Sequence, residues 1–279
     1  MNIECINVSY LYEIPGDEWA LRDISFSIRQ GEKIAVIGPA GSGKTTLIQL
    51  LDALIMPTKG DIRYDGESVH TLSKARKLTS IRRRIGVLFQ FPEHQFFHET
   101  AYEELTFSLR NFFNLDEREI ERRSREIMER FGMDVGLLKE ISPFRLSSGE
   151  KRKLALASAL LSAPEILILD EPTAGMDASG RGELIKMVSC LQDTTVILVT
   201  HNLEDFLPIV DRCIGISHAE LVADIRREHL MDRLSSLLSS GIVSPLVLSI
   251  QDRLKSEGVG GCPEVYEMKR LIECLRAKL

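Results

Sequence analysis

A chain of 279 residues, 44% hydrophobic and 27% charged, has ordinary globular composition and room for one large domain, or a main domain with a small appendage. Its net charge of −6 gives it no general affinity for nucleic acid, and the short cluster Ile81 to Arg84 reads as solvated surface. No apolar run approaches the ~20 residues that span a bilayer, and the N-terminus lacks the pattern of a signal peptide, so a soluble chain is expected, with any membrane role supplied by a partner.

In chain order, residues 1–33 alternate apolar and polar, which predicts antiparallel strands. KIAVIG is a short buried strand, followed by the helix TTLIQLLDAL and the breaker cluster Pro57 to Gly60. DIRYDGESV predicts an edge strand and IGVLFQ another buried one. Residues 99–140 are helical in pattern. Asp116 with Glu119 can form a capping box there, ahead of an apolar stripe of Ile120, Ile127, Met128 and Phe131. ILILD and TVILVT, each preceded by a helical stretch, complete a strand–helix alternation that argues for a parallel α/β sheet, with CIGIS as one more strand.

From about residue 222 the pattern changes. Ser244-Pro245 can cap a helix carrying Val247, Ile250 and Leu254. Gly258, Gly260, Gly261 and Pro263 break the chain, and a last helix carries Val265, Met268, Ile272 and Leu275. The five cysteines, Cys5, Cys190, Cys213, Cys262 and Cys274, show no C-x-x-C spacing. They read as buried or incidental thiols of a reducing compartment, with neither a disulfide frame nor a zinc site expected.

The chemistry begins at Gly38-Pro39-Ala40-Gly41-Ser42-Gly43-Lys44-Thr45-Thr46, which fits G-x-x-x-x-G-K-[ST] between a strand and a helix. Glycines let the backbone curl until its N–H groups face phosphate oxygens, and the helix N-terminus adds positive potential. Lys44 reaches the outer phosphates, and the Thr45 hydroxyl can ligate magnesium. The strand ILILD ends in Asp170 and Glu171. In a nucleotide site Asp170 would hold magnesium and Glu171 would polarise a water at the γ-phosphate; the plainer alternative is that both acids cap the turn at Pro172-Thr173. Gln90 offers an amide to the magnesium and the attacking water. His201, at the end of TVILVT, could sit beside the γ-phosphate.

The order phosphate loop, Gln90, LSSGE (Leu146 to Glu150), LDEP, Asp177, His201 resembles the ATP-binding-cassette (ABC) ATPases over roughly residues 1–222. That resemblance implies a P-loop α/β fold: a parallel core sheet, an N-terminal antiparallel β subdomain, a helical subdomain at about 92–160, and a C-terminal helical extension over 223–279. It also implies that Ser147, Gly149 and Glu150 form the signature turn that meets ATP held by a second subunit. Tyr12 matches the aromatic that stacks on adenine, Asp177 the aspartate that links the two sites, Glu171 the general base and His201 the switch histidine. Ser148 departs from the family's second signature glycine, Glu150 stands for the usual glutamine, and Ser217 to Leu221 lacks the glycine usual in that hairpin.

The stretch FPEHQFFHET after Gln90, with Ser142-Pro143-Phe144 before the signature, resembles the ATPase (A) subunits of energy-coupling-factor transporters. This implies an ATP- and Mg²⁺-dependent ATPase at the cytoplasmic face of the membrane. It would pair with a second ABC ATPase subunit (itself or a paralogue) and dock on a transmembrane scaffold (T component) and a substrate-binding S component. It would power uptake of a vitamin or a transition-metal ion, with no nucleic acid involved. Phe91, Pro92, Phe96 and Phe97 would line the groove for the scaffold's helices, with core packing as their alternative. The competing readings are the ATPase of a conventional ABC transporter, in which FPEHQFF would be out of place; a soluble non-transport ABC ATPase, which the single cassette without a basic arm disfavours; and a non-hydrolysing cassette, which the full set Lys44, Asp170, Glu171 and His201 disfavours.

Overall fold

The computed structural model describes residues 1–13, 18–258, 262 and 265–277, apart from the side chains of residues 92 and 93. The chain opens with strands β1 (Ile3–Tyr10), β2 (Leu21–Ile28) and β3 (Lys33–Ile37), then helix α1 (Lys44–Leu51). Strands β4 (Lys59–Tyr64) and β5 (Glu67–Ser68) and helices α2 (Val69–Lys74) and α3 (Leu78–Arg82) lead to β6 (Ile85–Leu88). A helical block follows: α4 (Ala101–Phe112), α5 (Glu117–Arg130), α6 (Val135–Leu138) and α7 (Ser148–Leu161). Then come β7 (Ile166–Asp170), α8 (Ala178–Ser189), β8 (Thr195–Val199), β9 (Arg212–Ser217) and β10 (Glu220–Arg226), and last α9 (Leu234–Ser239), α10 (Leu246–Ser256) and α11 (Met268–Arg276).

Two sheets form. One has the order β2-β1-β4-β5 and is antiparallel, as the alternating N-terminus predicts. DIRYDGESV supplies β4 and β5, and β4 is not an edge: it pairs with β1 on one side and β5 on the other. The second sheet has the order β10-β9-β3-β8-β7-β6, parallel from β9 to β6, with β10 antiparallel at its edge. The residue 222 boundary falls inside β10, which stays paired with β9 as far as Arg226 opposite Arg212.

The parallel strands are apolar on both faces because both faces are covered. Ile166, Ile168, Ile197, Val199, Ile34 and Val36 face the core shared with α1 and the antiparallel sheet. Leu167, Leu169, Val196, Leu198 and Ala35 face the core shared with α4, α7 and α8, and residues of α9, α10 and α11 join it.

The predicted stripe of α5 is present: Ile120, Met128 and Phe131 are buried and Ile127 packs at their margin. Its capping box is only half formed, because Asp116 accepts from the Glu119 N–H at 2.8 Å without a return bond. Ser244-Pro245 does not cap α10 with a side chain. The N–H groups of Leu246 and Val247 donate instead to the Glu204 carboxylate, from the segment after His201.

The cysteine expectation is overturned at one pair: Cys262 and Cys274 form a disulfide. Spacing gave no hint of it, because α11 folds back on the chain that precedes it. Cys5, Cys190 and Cys213 are free. Gly260, Gly261 and Pro263 of the expected break lie outside the described residues, whereas Gly258 sits at φ 77°, as a helix-terminating glycine should. The β9–β10 hairpin without its glycine turns through His218 (φ 49°) and Ala219 (φ 65°), two side-chain-bearing residues in the left-handed region. No helix among the described residues is long and apolar enough to cross a membrane.

Candidate active site

The site grows from the carboxyl ends of adjacent parallel strands, where an open α/β sheet leaves its crevice. The register aligns Val36 of β3 with Val199 of β8, and Val199 with Asp170 of β7. The phosphate loop, the Thr200-His201 turn and the Asp170-Glu171 turn therefore leave the sheet at one level. Two backbone bonds lock them together: the Thr200 N–H donates to Val36 O at 3.2 Å and the Glu171 N–H to Val199 O at 2.8 Å.

The phosphate loop needs glycine at two positions for steric reasons. A Cβ on Gly43 (φ 103°) would lie 2.3 Å from the Ala20 carbonyl oxygen, and one on Gly38 only 2.0 Å from that of Ile216. Lys44 Nζ donates back into the loop, to the carbonyl oxygens of Gly38 at 2.9 Å and Pro39 at 2.8 Å. Burial pulls the Lys44 ammonium below its ordinary pKa, against the charges of Glu171 and Asp170. The Ser42 hydroxyl is buried without a hydrogen-bond partner among the described residues. That orphaned donor beside a half-desolvated ammonium fits a loop made for an oxyanion. Thr45 and Thr46 lie in the first turn of α1, whose N-terminus Gly43 opens.

Asp170 and Glu171 sit in contrasting surroundings. Asp170 is pushed up to about 6, first by burial and then by the charge of Glu171, with Lys44 opposing. Glu171 is gripped. Its Oε1 accepts from the His201 N–H at 3.0 Å and lies 2.8 Å from His201 Nδ1, while the Thr200 hydroxyl donates to Oε2 at 3.4 Å. Its backbone sits at φ 45°, a strained conformation for a side-chain-bearing residue and one found disproportionately at functional sites. His201 and Thr200 thus hold the Glu171 carboxylate, and the Thr200 contact is one that a lone hydroxyl at a strand end does not announce. The His201 side chain is 73% exposed.

Gln90 follows β6, and its carbonyl oxygen accepts from the Arg152 guanidinium at 3.0 Å. Tyr12 lies two residues past β1, with its hydroxyl 3.1 Å from Thr46 Oγ1 and 3.4 Å from Gln49 Oε1. Its ring is 39% exposed beside the phosphate-loop helix, edge-on to Tyr10.

The LSSGE turn bonds within itself. Ser147 is the N-cap of α7, accepting from the Glu150 N–H at 3.3 Å, while the Glu150 carboxylate accepts from Ser147 N–H at 2.9 Å and from its hydroxyl at 2.7 Å. This is a complete capping box, and it holds the Glu150 carboxyl below the usual carboxylate range. A Cβ on Gly149 would meet nothing within 4 Å, so the first turn of α7 presents open backbone. Asp177 likewise caps α8 through the Gly180 N–H at 2.8 Å.

The aromatic loop divides. Phe96 is buried in the core, whereas Phe91 is 53% and Phe97 64% exposed; the Pro92 side chain lies outside the described residues. Glu104 of α4, itself buried, accepts from the N–H groups of Phe97 at 3.0 Å and His98 at 3.1 Å and so fixes the loop's course.

A strand-end phosphate loop, a strained and hydrogen-bonded glutamate on the second neighbouring strand and a capped LSSGE helix together define an ABC-type ATPase. Comparison with known proteins agrees. The family described as ABC transporter matches residues 21–174. The energy-coupling factor transporter ATP-binding protein EcfA2 of Clostridium perfringens is 36% identical over 99% of this chain and 96% of its own length. That of Symbiobacterium thermophilum is 38% identical over 98% of this chain and 94% of its own. Among solved structures, the dimeric post-hydrolysis state of the cassette MJ0796 bound to ADP and Pi superposes with a TM-score of 0.73 at 26% identity, covering 81% of this chain and 98% of that one. CbiO1 of Clostridium perfringens, part of the ABC transporter complex CbiONQ, superposes with a TM-score of 0.72 at 27% identity, covering 89% of this chain and 97% of that one. The chain belongs to the ABC ATPases and, within them, to the ATP-binding proteins of energy-coupling factor transporters.

Proposed function

We propose that this ATPase drives uptake of a vitamin or a transition-metal ion from the cytoplasmic face of a membrane. It would work paired with a second ABC subunit and seated on a transmembrane scaffold that carries a substrate-binding component. The observation that carries the reading is the convergence of Lys44, Asp170, Glu171 and His201 at neighbouring strand ends, in a chain related over nearly its whole length to energy-coupling factor transporter ATP-binding proteins. In this reading residues 1–222 are the ATPase domain, with the helical subdomain at about 92–160, and residues 223–279 are a helical extension joined to it through β10.

ATP is the substrate. Gly38 to Thr46 would bind its phosphates through backbone N–H groups and Lys44, and Tyr12 would stack on the adenine. Ser147, Gly149 and Glu150 of one protomer would meet the γ-phosphate held by the other, with Asp177 at the junction between the two sites. The donors Thr45, Gln90 and Asp170 are hard oxygen ligands suited to Mg²⁺, and a divalent cation beside Asp170 would keep that buried carboxyl ionised. Bound there, Mg²⁺ would neutralise charge on the phosphates. Glu171, aimed by the His201 N–H, would take the proton of the attacking water, and His201, bonded to the same carboxylate, would hold the acid in register with the γ-phosphate. Phe91 and Phe97 present an exposed aromatic surface suited to a scaffold helix; Phe96, which is buried, has no part in it.

The test is a pull-down of the tagged protein from gently solubilised native membranes, with mass spectrometry of the material recovered. A multi-spanning scaffold, a small membrane-embedded binding subunit and a cassette are the expected partners. Recovery of soluble partners alone would leave the ATPase standing and remove the transport assignment.

A further inference from the structure

Arg152 lies in the second turn of α7, five residues past Ser147, and its side chain is almost fully buried at 9% exposure. A buried guanidinium carries a large desolvation cost and stays charged, so it is kept only where its donors are well used. Here they reach three carbonyl oxygens on two stretches of backbone. One terminal nitrogen donates to the carbonyl oxygen of Pro172 at 2.6 Å and approaches that of Glu171 at 3.5 Å. The other donates to the carbonyl oxygen of Gln90 at 3.0 Å. The planar fork thus grips the two loops that carry Glu171 and Gln90, from the helix whose first turn is LSSGE. The Glu171 backbone it holds is the one strained at φ 45°.

We propose that Arg152 is a positioning residue for hydrolysis. It ties the LSSGE helix to the backbone on which Glu171 and Gln90 are mounted. Contact of the LSSGE turn with nucleotide and placement of that protomer's own acid then become one mechanical event. Ser147 caps the helix that carries Gly149 and Arg152 in its first two turns, so a shift at the helix N-terminus is delivered to the carbonyl oxygens of Gln90, Glu171 and Pro172. The proposal rests on the reading of Glu171 as the base and of LSSGE as the contact for the second subunit's ATP.

The test compares Arg152→Gln, Arg152→Lys and, in parallel, Glu171→Gln in the full-length protein assembled with its membrane partners. Steady-state ATPase rates and the affinity for a fluorescent ATP analogue are both measured. Arg152→Gln is expected to lower kcat tenfold or more while KM and nucleotide affinity stay within threefold. Arg152→Lys, whose single ammonium can serve only part of the fork, is expected to fall between it and the unmodified protein. A kcat within threefold of the unmodified protein for both variants overturns the proposal. So does a fall in kcat matched by an equal loss of nucleotide affinity, which would mark Arg152 as a general structural residue. If Arg152→Gln does not fold, Arg152→Lys decides alone: a normal kcat refutes the clamp and a reduced kcat with unchanged affinity upholds it. Normal turnover by Glu171→Gln would instead strike at the base assignment, a failure distinguishable from that of Arg152.

Discussion

Glu171 and Asp170 are neighbours in sequence and both buried, but they are held differently. Glu171 is held by a main-chain N–H and a threonine hydroxyl, and Asp170 is buried beside it with a raised pKa. Replacing Glu171 by Gln keeps the shape and the His201 contact but removes the proton acceptor. ATP binding should survive while phosphate release slows on the order of a hundredfold or more, the scale of general-base loss; an unchanged steady-state rate would take the base role from Glu171. Asp170 gives a pH signature. Its folded pKa, about 6, lies above the ordinary carboxylate value of 3.8, so the folded protein binds more protons than the unfolded chain between those values. This group therefore adds stability to the nucleotide-free protein as pH falls from 7 toward 4. Asp170→Asn should raise the melting temperature at pH 7.5, where burial opposes the charge. Near pH 4.5, where the carboxyl is mostly protonated already, the gain should shrink. A lowered melting temperature at pH 7.5 would show that Lys44 outweighs burial.

Among the elements, α7 and α10 show two ways of starting a helix. The N-terminus of α7 carries its own cap, Ser147 with Glu150, and that box is legible in LSSGE itself. The Glu150 carboxylate, which stands where the family has glutamine, is engaged by the N–H and hydroxyl of Ser147. The N-terminus of α10 has no side-chain cap of its own and depends on Glu204, which lies shortly after His201. Glu204→Ala should cost about 1 kcal/mol, typical of a lost cap. The loss should appear as faster amide exchange in residues 246–256 while α7 is unaffected. Equal protection in both proteins would mean that packing alone seats α10. The Cys262–Cys274 bridge acts on the neighbouring α11, where its closed loop constrains only the end of the chain.

For the whole molecule, the proposed sharing of the site between two chains has a direct consequence for assembly. Ser147 and Gly149 make no hydrogen bond to the phosphate loop among the described residues, and the open face at Gly149 is where a second chain has room to approach. A chain blocked at Glu171→Gln and given ATP should therefore shift from monomer toward dimer in light scattering, and Lys44→Ala in the same background should abolish the shift. If the blocked protein stays monomeric with saturating ATP and with a candidate paralogue present, the shared-site arrangement fails.

Much of this was legible without coordinates. The phosphate loop, the paired acids, the signature turn and the strand–helix alternation are local patterns. Their chemistry depends on residue type and spacing, and spacing is what a sequence records. Outcomes that depend on distant partners are not written in any local pattern. Phe96 entered the core while Phe91 and Phe97 stayed outside, because burial is decided by what packs above the loop and not by the run of aromatics. The cap of α10 by Glu204 and the grip of Arg152 on Gln90 and Pro172 join segments well separated along the chain. The sequence by itself determined which groups are present and which local turns display them. Only the tertiary structure decided the strand order that sets Val36, Val199 and Asp170 side by side, and with it the convergence of Lys44, Glu171 and His201, because hydrogen-bonded register between parallel strands is a long-range property that no window of residues contains.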